Sequence, residues 1–344
     1  MELTPRKKAV LKAVVKAYIE TGEPIGSKIL TELLENAPSS ATLRNEMSEL
    51  CDLGLLRQPH TSAGRVPTVG GFRFYVNSLM SETDLDENTK KIIDNSLNDI
   101  HCEPEQIPSA AATILSHLTG LPAISCIISD RIPLIKKIEL LPVSRLTVML
   151  LIITDDGRTR SRLFRQSSDF TIVTKRLFED ISKKYLIGTP IDEINPAFIQ
   201  NIVALAGMSA LELVPLFTAV GETVAEITSR DIKLQNEGAL YNICGNDSTA
   251  RRLISLINSG DPMISILEGI KNGAGAVFGA DTGYSELDKD TIIAAKFSVT
   301  DKYKGYIGLI GPNRMSYDQI LPCTLYTAER LSEIMTEAQK DMED

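Results

Sequence analysis

The first eighty residues contain three short amphipathic helical patterns, each opened by a capping residue and separated from the next by turn signals. In the first pattern Thr4 precedes Pro5, the usual arrangement of an N-cap and a first helical residue. Serines open the second and third patterns. Three short helices with a tight turn before the third are typical of a helix-turn-helix core, which narrows the folds available to this segment. We expect four apolar residues of the second pattern to face inward: Ile29, Leu30, Leu33 and Leu34.

The third pattern separates its residues most clearly into two faces. At 100° per residue, Leu43, Met47 and Leu50 share one narrow stripe, which predicts the core face. The other side has small or hydrogen-bonding side chains near the N-terminus, as a recognition helix requires, because arginine can bond guanine and asparagine adenine in the major groove. An ordinary solvated helix face would show the same polarity. We predict DNA contacts from six residues of this segment: Ser39, Ser40, Thr42, Arg44, Asn45 and Ser48.

The stretch LLRQPHTSAGRVPT, residues 55–68, is cationic although the chain has a formal net charge of -9. It follows the third helical pattern directly, so the order is helix, strand, cationic loop and strand. This order predicts a winged helix, whose hairpin tip brings His60, Ser62 and Arg65 to a phosphate or to the minor groove. Gly64 permits a turn where a Cβ would interfere. A mobile surface turn with incidental charge is the alternative.

The charge is unevenly distributed along the chain. Residues 1–80 contain ten Lys and Arg against eight Asp and Glu, a balance of +2, and the remainder contains 26 against 37, a balance of -11. An acidic body with a mildly basic head is expected to dock on a polyanion only through the head.

The sequence after the head falls into four segments of different pattern. Residues 81–109 begin acidic and polar, which is typical of a linker or connecting helix. Residues 110–168 have strand patterns rich in Ile, Leu and Val, residues 169–239 have mainly helical periodicity, and residues 240–340 mix strands and helices again. We therefore predict one α/β domain, 110–168 and 240–340, interrupted by a helical insertion. ALYNICG, residues 239–245, is predicted as a strand.

Segments at both ends of the chain resemble one family, the HrcA heat-inducible transcription repressors. The resemblance near the N-terminus lies in YIETGEPIGSKIL, SSATLRNEMSELCDLGLL, QPHTSAGRVPT and GFRFYVNSLM. Near the C-terminus, GYIGLIGPNRMSYDQ resembles the second signature of the same family. The number of residues between the two signatures also fits the family, so the resemblance extends over the whole chain.

The resemblance implies an α+β multidomain fold: an N-terminal winged helix-turn-helix at 1–80, a GAF-like α/β domain, and a mainly helical inserted domain that contributes to dimerisation. It implies a repressor that binds double-stranded DNA as a homodimer, at the inverted-repeat CIRCE operator upstream of chaperone operons. It also implies that the GroE chaperonin helps the repressor to reach its active fold.

No catalytic arrangement can be drawn from the sequence. HCEPE, residues 101–105, places a thiol and two carboxylates near a histidine, but a metal site would need a second cluster of ligands. Five scattered cysteines favour reduced thiols in the cytoplasm. The apolar run LTVMLLII is too short to cross a bilayer, and the N-terminus lacks the apolar stretch of a secretory signal. We expect a cytoplasmic protein that is not an enzyme and needs no metal or cofactor.

A second hypothesis is a ligand-responsive regulator or enzyme, whose GAF-like domain binds a small molecule and whose winged helix contacts a protein. Two segments, GAGAVFGADTGY (273–284) and GLIGPNRM (308–315), would line the ligand site, or would close a packed sheet without a ligand. Salt dependence distinguishes the two hypotheses, because binding through phosphates weakens steeply as salt rises.

Overall fold

The computed structural model shows a mixed α/β chain that divides into two compact units. The first unit is Met1–Ile128 with Asp231–Asp344, and the second is Ser129–Arg230. The structure describes residues 3–35, 37–60, 63–81, 84–102, 106–129, 132–155, 157–165, 170–207, 213–228, 232–270, 273–300 and 303–343.

The first unit begins with a three-helix head and a small antiparallel hairpin. The elements are α1 (Pro5–Thr21), α2 (Ser27–Leu33), α3 (Ser40–Asp52), β1 (Leu56–Arg57) and β2 (Val66–Pro67). The predicted cap of α1 is confirmed, since the Thr4 side chain accepts a hydrogen bond from the backbone N–H of Lys7. β1 and β2 pair antiparallel, and Ile25 forms an isolated bridge with Arg65 beside them.

The prediction that all four apolar residues of α2 face inward is wrong for two of them. Leu30 is fully buried, but Ile29 and Leu33 are 44% and 52% exposed. Two neighbouring stripes of α2 are apolar, and they lie about 100° apart around a helix of two turns. Only the stripe of Leu30 and Leu34 turns toward the core.

The larger part of the first unit is a five-stranded sheet covered by helices. Its strands are β3 (Ala123–Ser129), β7 (Lys233–Gln235), β8 (Ala274–Phe278), β9 (Asp290–Thr300) and β10 (Tyr303–Pro312), in the order β7-β3-β10-β9-β8. β8 pairs antiparallel with β9, and β9 pairs antiparallel with β10. α4 (Val69–Phe74) directly follows β2 and belongs to the head, whereas the helices of the sheet part are α5 (Glu87–Asn98), α6 (Ile107–Thr119), α10 (Glu237–Cys244), α11 (Asp247–Asn258), α12 (Asp261–Glu268) and α13 (Tyr317–Glu343).

Both faces of this sheet are packed with apolar side chains. Along β9, Ile292 and Ala294 join a cluster with α10, α11 and α12, whereas Ile293 and Ala295 join a cluster with α6, α13 and the head. A strand segment buried on both faces has no polar side, and the run Ile292–Ala295 of β9 is accordingly apolar throughout. The prediction of a strand at ALYNICG is wrong, because Leu240 there lies on α10 and is buried in the first cluster.

The segment predicted as a linker, residues 81–109, contains the packed helix α5. Ile93 and Leu97 are buried in the core that the head shares with α13. Asp94 accepts hydrogen bonds from the Tyr326 hydroxyl at 2.9 and 3.1 Å and pairs with Arg330 at 2.8 Å. The connecting helix is therefore part of the first unit.

The second unit combines a three-stranded sheet with three helices. β4 (Ile135–Pro142), β5 (Thr147–Thr154) and β6 (Thr159–Arg165) form an antiparallel sheet in the order β4-β5-β6. The helices are α7 (Ile172–Tyr185), α8 (Pro196–Ala206) and α9 (Val214–Thr228). Buried residues of β5 pack with Phe178 and Phe217, whose rings stack at 5.1 Å.

The predicted domain boundaries differ from this division. Residues 110–168 were expected in one α/β domain with 240–340, and the mainly helical insertion was expected at 169–239. Instead, β4, β5 and β6 form their own sheet in the unit Ser129–Arg230, and β7 at Lys233–Gln235 pairs with β3. Alternating hydrophobicity identifies a strand but does not say which sheet it joins.

Gly64 offers a test of how the hairpin is tied to the head. The Ile25 N–H donates to the Arg65 carbonyl at 2.9 Å, and the Arg65 N–H donates to the Ile25 carbonyl at 2.8 Å. A Cβ on Gly64 would overlap the Ile25 carbonyl and lie 2.8 Å from the Pro24 carbonyl oxygen. We expect Gly64→Ala to lower the free energy of unfolding by about 1–3 kcal/mol, as overpacking against backbone does.

Thermal unfolding would measure this effect, with Gly238→Ala in the first turn of α10 as the control. A Cβ on Gly238 meets nothing within 4 Å, and alanine is the better helix former, so this change should not lower the free energy of unfolding. Equal melting temperatures for the two variants would contradict the close approach of the hairpin to Ile25.

Candidate nucleic-acid interface

The sequence assigned the two faces of α3 correctly. Leu43 and Leu50 are fully buried and Met47 is 3% exposed, so the predicted core stripe is confirmed. Arg44 and Asn45 are both exposed, as is Ser48 one turn further on. The hydrogen-bonding side chains of this face are therefore accessible from solvent.

Two of the three acidic residues of α3, Glu46 and Glu49, form ion pairs with cations of α1. Lys7 of α1 pairs with Glu46 at 3.3 Å and with Glu49 at 2.8 Å. Arg6 adds a longer contact to Glu46 at 3.7 Å. The hydrogen bond from Lys7 to Glu49 is the main cause of the raised pKa of the Lys7 ammonium. These pairs offset the negative charge that would otherwise repel a polyanion beside Arg44.

Three of the predicted contact residues also build the start of α3. Ser39 is the N-cap and accepts a hydrogen bond from the Thr42 N–H at 3.2 Å, and the two hydroxyls lie 2.9 Å apart. The Ser40 hydroxyl lies 2.8 Å from that of Ser27 at the start of α2. The hydroxyls of Ser39, Ser40 and Thr42 therefore fix the N-terminal turn of α3 and its junction with α2.

Two of the contact residues predicted in the loop between β1 and β2 differ in their exposure. His60 is exposed, and its carbonyl accepts a hydrogen bond from the Ala63 N–H at 2.9 Å. Arg65 is half-buried, with Nη1 3.4 Å from the Ala63 carbonyl oxygen and 3.5 Å from that of Gly64. Ser62, also predicted as a contact, lies outside the described residues.

Thr68 is a positioning residue that the sequence analysis missed. Its hydroxyl lies 2.6 Å from the Gly54 carbonyl oxygen and 3.1 Å from that of Leu55, and it accepts a hydrogen bond from the Gly71 N–H at 3.1 Å. It thereby caps α4 and ties the end of β2 to the end of α3. A threonine directly before a helical pattern is the N-cap signal that could have identified it.

The described ranges hold no helix long and apolar enough to cross a membrane. Within the same ranges there is no group of three His, Cys, Asp or Glu residues placed to hold a metal ion. His101 and Cys102 of the HCEPE segment are described, and its residues 103–105 lie outside the described part.

Comparisons with known proteins agree with the resemblance of the two signatures. Residues 105–321 match the family model described as the HrcA protein C terminal domain. The chain is 32% identical to a heat-inducible transcription repressor HrcA from Clostridium botulinum (strain Alaska E43 / Type E3), over 99% of this chain and 100% of that protein. It is 29% identical to the repressor of that name from Acetivibrio thermocellus, over 97% of this chain and 96% of that protein.

A solved structure shows the same fold. The crystal structure of a hypothetical protein covers 98% of this chain and 100% of its own, with a TM-score of 0.59 and 24% identity. Together, the sequence matches place the chain in a class, the transcription repressors of the heat-shock response. Within that class it belongs to the HrcA family.

Proposed function

We propose that this repressor binds an inverted-repeat operator of the CIRCE type, upstream of chaperone operons, and blocks their transcription. Residues 1–80 act as a winged helix-turn-helix in this proposal, with α3 in the major groove and the β1–β2 loop on the flanking backbone. The observation that carries it is the exposed face of α3, where Arg44 and Asn45 are accessible while Glu46 and Glu49 are paired with Lys7. Arginine and asparagine are the side chains best suited to bidentate contacts with guanine and adenine.

An inverted repeat requires two heads related by a two-fold axis, so the proposal includes a homodimer. The five-stranded sheet and its helices correspond to the GAF-like domain, and the unit Ser129–Arg230 corresponds to the inserted dimerisation domain. An apolar row on the sheet of this unit supports the assignment. Leu141, Met149 and Leu163 are cross-strand neighbours, and Leu163 is 61% exposed.

This row lies on the face of the sheet opposite to the core. Val148, Leu150 and Ile152 of β5 are fully buried against the helices, and side chains alternate along a strand, so Met149 points the other way. A second copy of the chain would bury the row against the same row of its partner, as a two-fold interface does. The two heads of one dimer would then bind the two half-sites.

The test is operator binding measured against salt, with and without GroE chaperonin. If the repressor binds through phosphate and base contacts, a plot of log Kd against the logarithm of the salt concentration should be a straight line. Its slope should be close to the number of neutralised phosphates. Chaperonin should raise the active fraction of the repressor without changing its affinity. A salt-independent Kd would contradict DNA binding through the head, and an unchanged active fraction would remove the role of GroE.

Arg65→Ala tests the role of the hairpin loop. If Arg65 contacts phosphate alone, binding to operator and to unrelated DNA should weaken by a similar factor, and the salt slope should fall by about 1 per head. Gel shifts on both duplexes would measure the two factors. A loss confined to the operator would place Arg65 on base edges instead.

A further inference from the structure

The two glycine-rich segments that the sequence suggested as the lining of a ligand site lie against the head. Asp281, which follows β8, forms an ion pair with Arg73 of α4. Arg314, which follows β10, donates a hydrogen bond from Nη1 to the Ile19 carbonyl oxygen of α1 at 3.1 Å. Each segment thus contributes one charged side chain to the contact between the head and the five-stranded sheet.

A row of four aromatic rings crosses the same contact. The ring centroids of Tyr18 and Phe72 lie 6.3 Å apart, those of Phe72 and Tyr317 6.2 Å, and those of Tyr317 and Phe278 6.1 Å. Phe72, Tyr317 and Phe278 are buried. Tyr18 and Phe72 belong to the head and the other two rings to the sheet part, so the row packs one against the other.

Hydrogen bonds fix the loop that carries Arg314. The Tyr317 hydroxyl donates to the Asn313 carbonyl oxygen at 2.7 Å, and the Thr291 hydroxyl donates to the Asn313 side-chain oxygen at 2.7 Å. Burial raises the pKa of the Tyr317 phenol above its usual range, so this donor keeps its proton at neutral pH. Arg314 is therefore presented from a fixed loop.

The two arginines reach across the contact in opposite directions. Arg73 extends from the head, and its guanidinium also lies 5.8 Å from the centre of the Phe278 ring. Arg314 extends from the sheet part to the C-terminus of α1, where unpaired carbonyls carry partial negative charge. α1 ends at Gly22 with φ 72°, and a Cβ there would lie 2.9 Å from Arg314 Nη1.

These polar contacts are directional and contribute little to stability. The side chains of Arg73 and Asp281 are 42% and 46% exposed, and exposed ion pairs of this kind stabilise proteins weakly. The aromatic row is one part of a larger apolar core that the head shares with α6, α13 and the sheet. We expect the two charged contacts, made from opposite sides, to hold the head in one orientation on that core.

We infer that Arg73, Asp281 and Arg314, together with the aromatic row, form a head clamp that selects the spacing between operator half-sites. This inference rests on the proposed function, because it assigns a task to residues that lie away from the exposed face of α3. Once one head is bound, the second binds as an intramolecular step. Its effective concentration depends on how stiffly the head is held.

A stiffly held head strongly favours one spacing, whereas a freed head accepts several. Loss of the clamp should therefore weaken binding to the native inverted repeat and reduce the penalty for a changed spacing. Binding of a single head to an isolated half-site needs no second head, so it should not change. The three residues are positioning residues, with no contact to DNA in this account.

The experiment compares the full-length repressor with the double variant Arg73→Gln, Arg314→Gln on three duplexes. These are the native inverted repeat, the same repeat with its spacing changed by about five base pairs, half a helical turn, and a single half-site. We expect the double variant to bind the native repeat about tenfold more weakly than the wild type does, and to bind the half-site within about twofold of the wild type. The spacing penalty, which is the ratio of the Kd for the altered repeat to the Kd for the native repeat, should be smaller for the variant. Lys90→Gln with Lys91→Gln, both on α5, is the matched control for the loss of two positive charges.

Two further measurements separate positioning from folding. The charge-exchanged pair Arg73→Asp with Asp281→Arg should recover spacing selectivity that Arg73→Asp alone loses. Hydrogen exchange at the C-terminus of α1 should rise in Arg314→Gln without any DNA present. An unchanged spacing penalty in a folded double variant would overturn the inference, as would an equal loss on half-site and full repeat. If the wild type bound no operator, the proposed function itself would fail, whatever the exchange data show.

Discussion

Replacing Arg44 and Asn45 together by alanine is expected to remove most of the preference of the repressor for its operator. Each bidentate contact between such a side chain and a base contributes about 1–3 kcal/mol of discrimination, and a dimer makes each contact twice. We therefore expect the ratio of operator to non-specific affinity to fall at least about 100-fold. Non-specific binding should weaken much less, since only one cation per head is lost.

The measurement is a competition gel shift at fixed salt, with the operator against a scrambled duplex. Lys91→Ala, an exposed charge on α5, controls for the loss of a surface cation. Both α3 side chains are exposed, so the melting temperature should stay close to that of the wild type. An unchanged affinity ratio would mean that these two residues do not read the operator.

Leu163→Asp is expected to convert the proposed dimer to monomers and to lower binding to the full inverted repeat to that of a half-site. Leu163 is 61% exposed in the single chain, so a charge there costs the isolated unit little. In the proposed interface the same charge would be buried beside Leu141 and Met149 and beside their copies in the partner. Burial of an unpaired carboxylate costs several kcal/mol, which exceeds what a modest interface can offset.

Sedimentation at micromolar protein concentration would measure the change in mass. Leu118→Asp is the matched control, because Leu118 is 37% exposed on α6 in the first unit. If Leu163→Asp remained dimeric while Val173→Asp, at 70% exposure on α7, dissociated, the interface would use the helices of the second unit and not its sheet.

Local sequence patterns predicted the two faces of α3 better than they predicted how the strands divide between the two larger sheets. The stripe of Leu43, Met47 and Leu50 depends only on helical periodicity within 13 residues, and the structure confirms it. The cap at Thr4 likewise follows from a local requirement, because the first N–H groups of α1 need an acceptor. Such features need no knowledge of distant partners.

The features that the sequence did not predict depend on contacts between residues that are far apart in the chain. The strands β4, β5 and β6 were recognised as strands, but their sheet depends on pairing that alternation does not encode. Arg73 and Asp281 are 208 positions apart, so their ion pair has no signature in either segment alone. α10 was predicted as a strand because its apolar residues are too few to separate a short helix from a buried strand. In each case the tertiary contacts determine the structure that the segment adopts.

The most direct test of the account maps base contacts with Asn45→Ala. Operator duplexes, each with one base pair replaced, are bound by the wild type and by the variant. The account predicts one symmetric pair of positions, one in each half-site, where replacement weakens the wild type by about 1–3 kcal/mol and leaves the variant unaffected. If the two proteins responded alike at every position, α3 would not read the operator through Asn45, and the central claim would be contradicted.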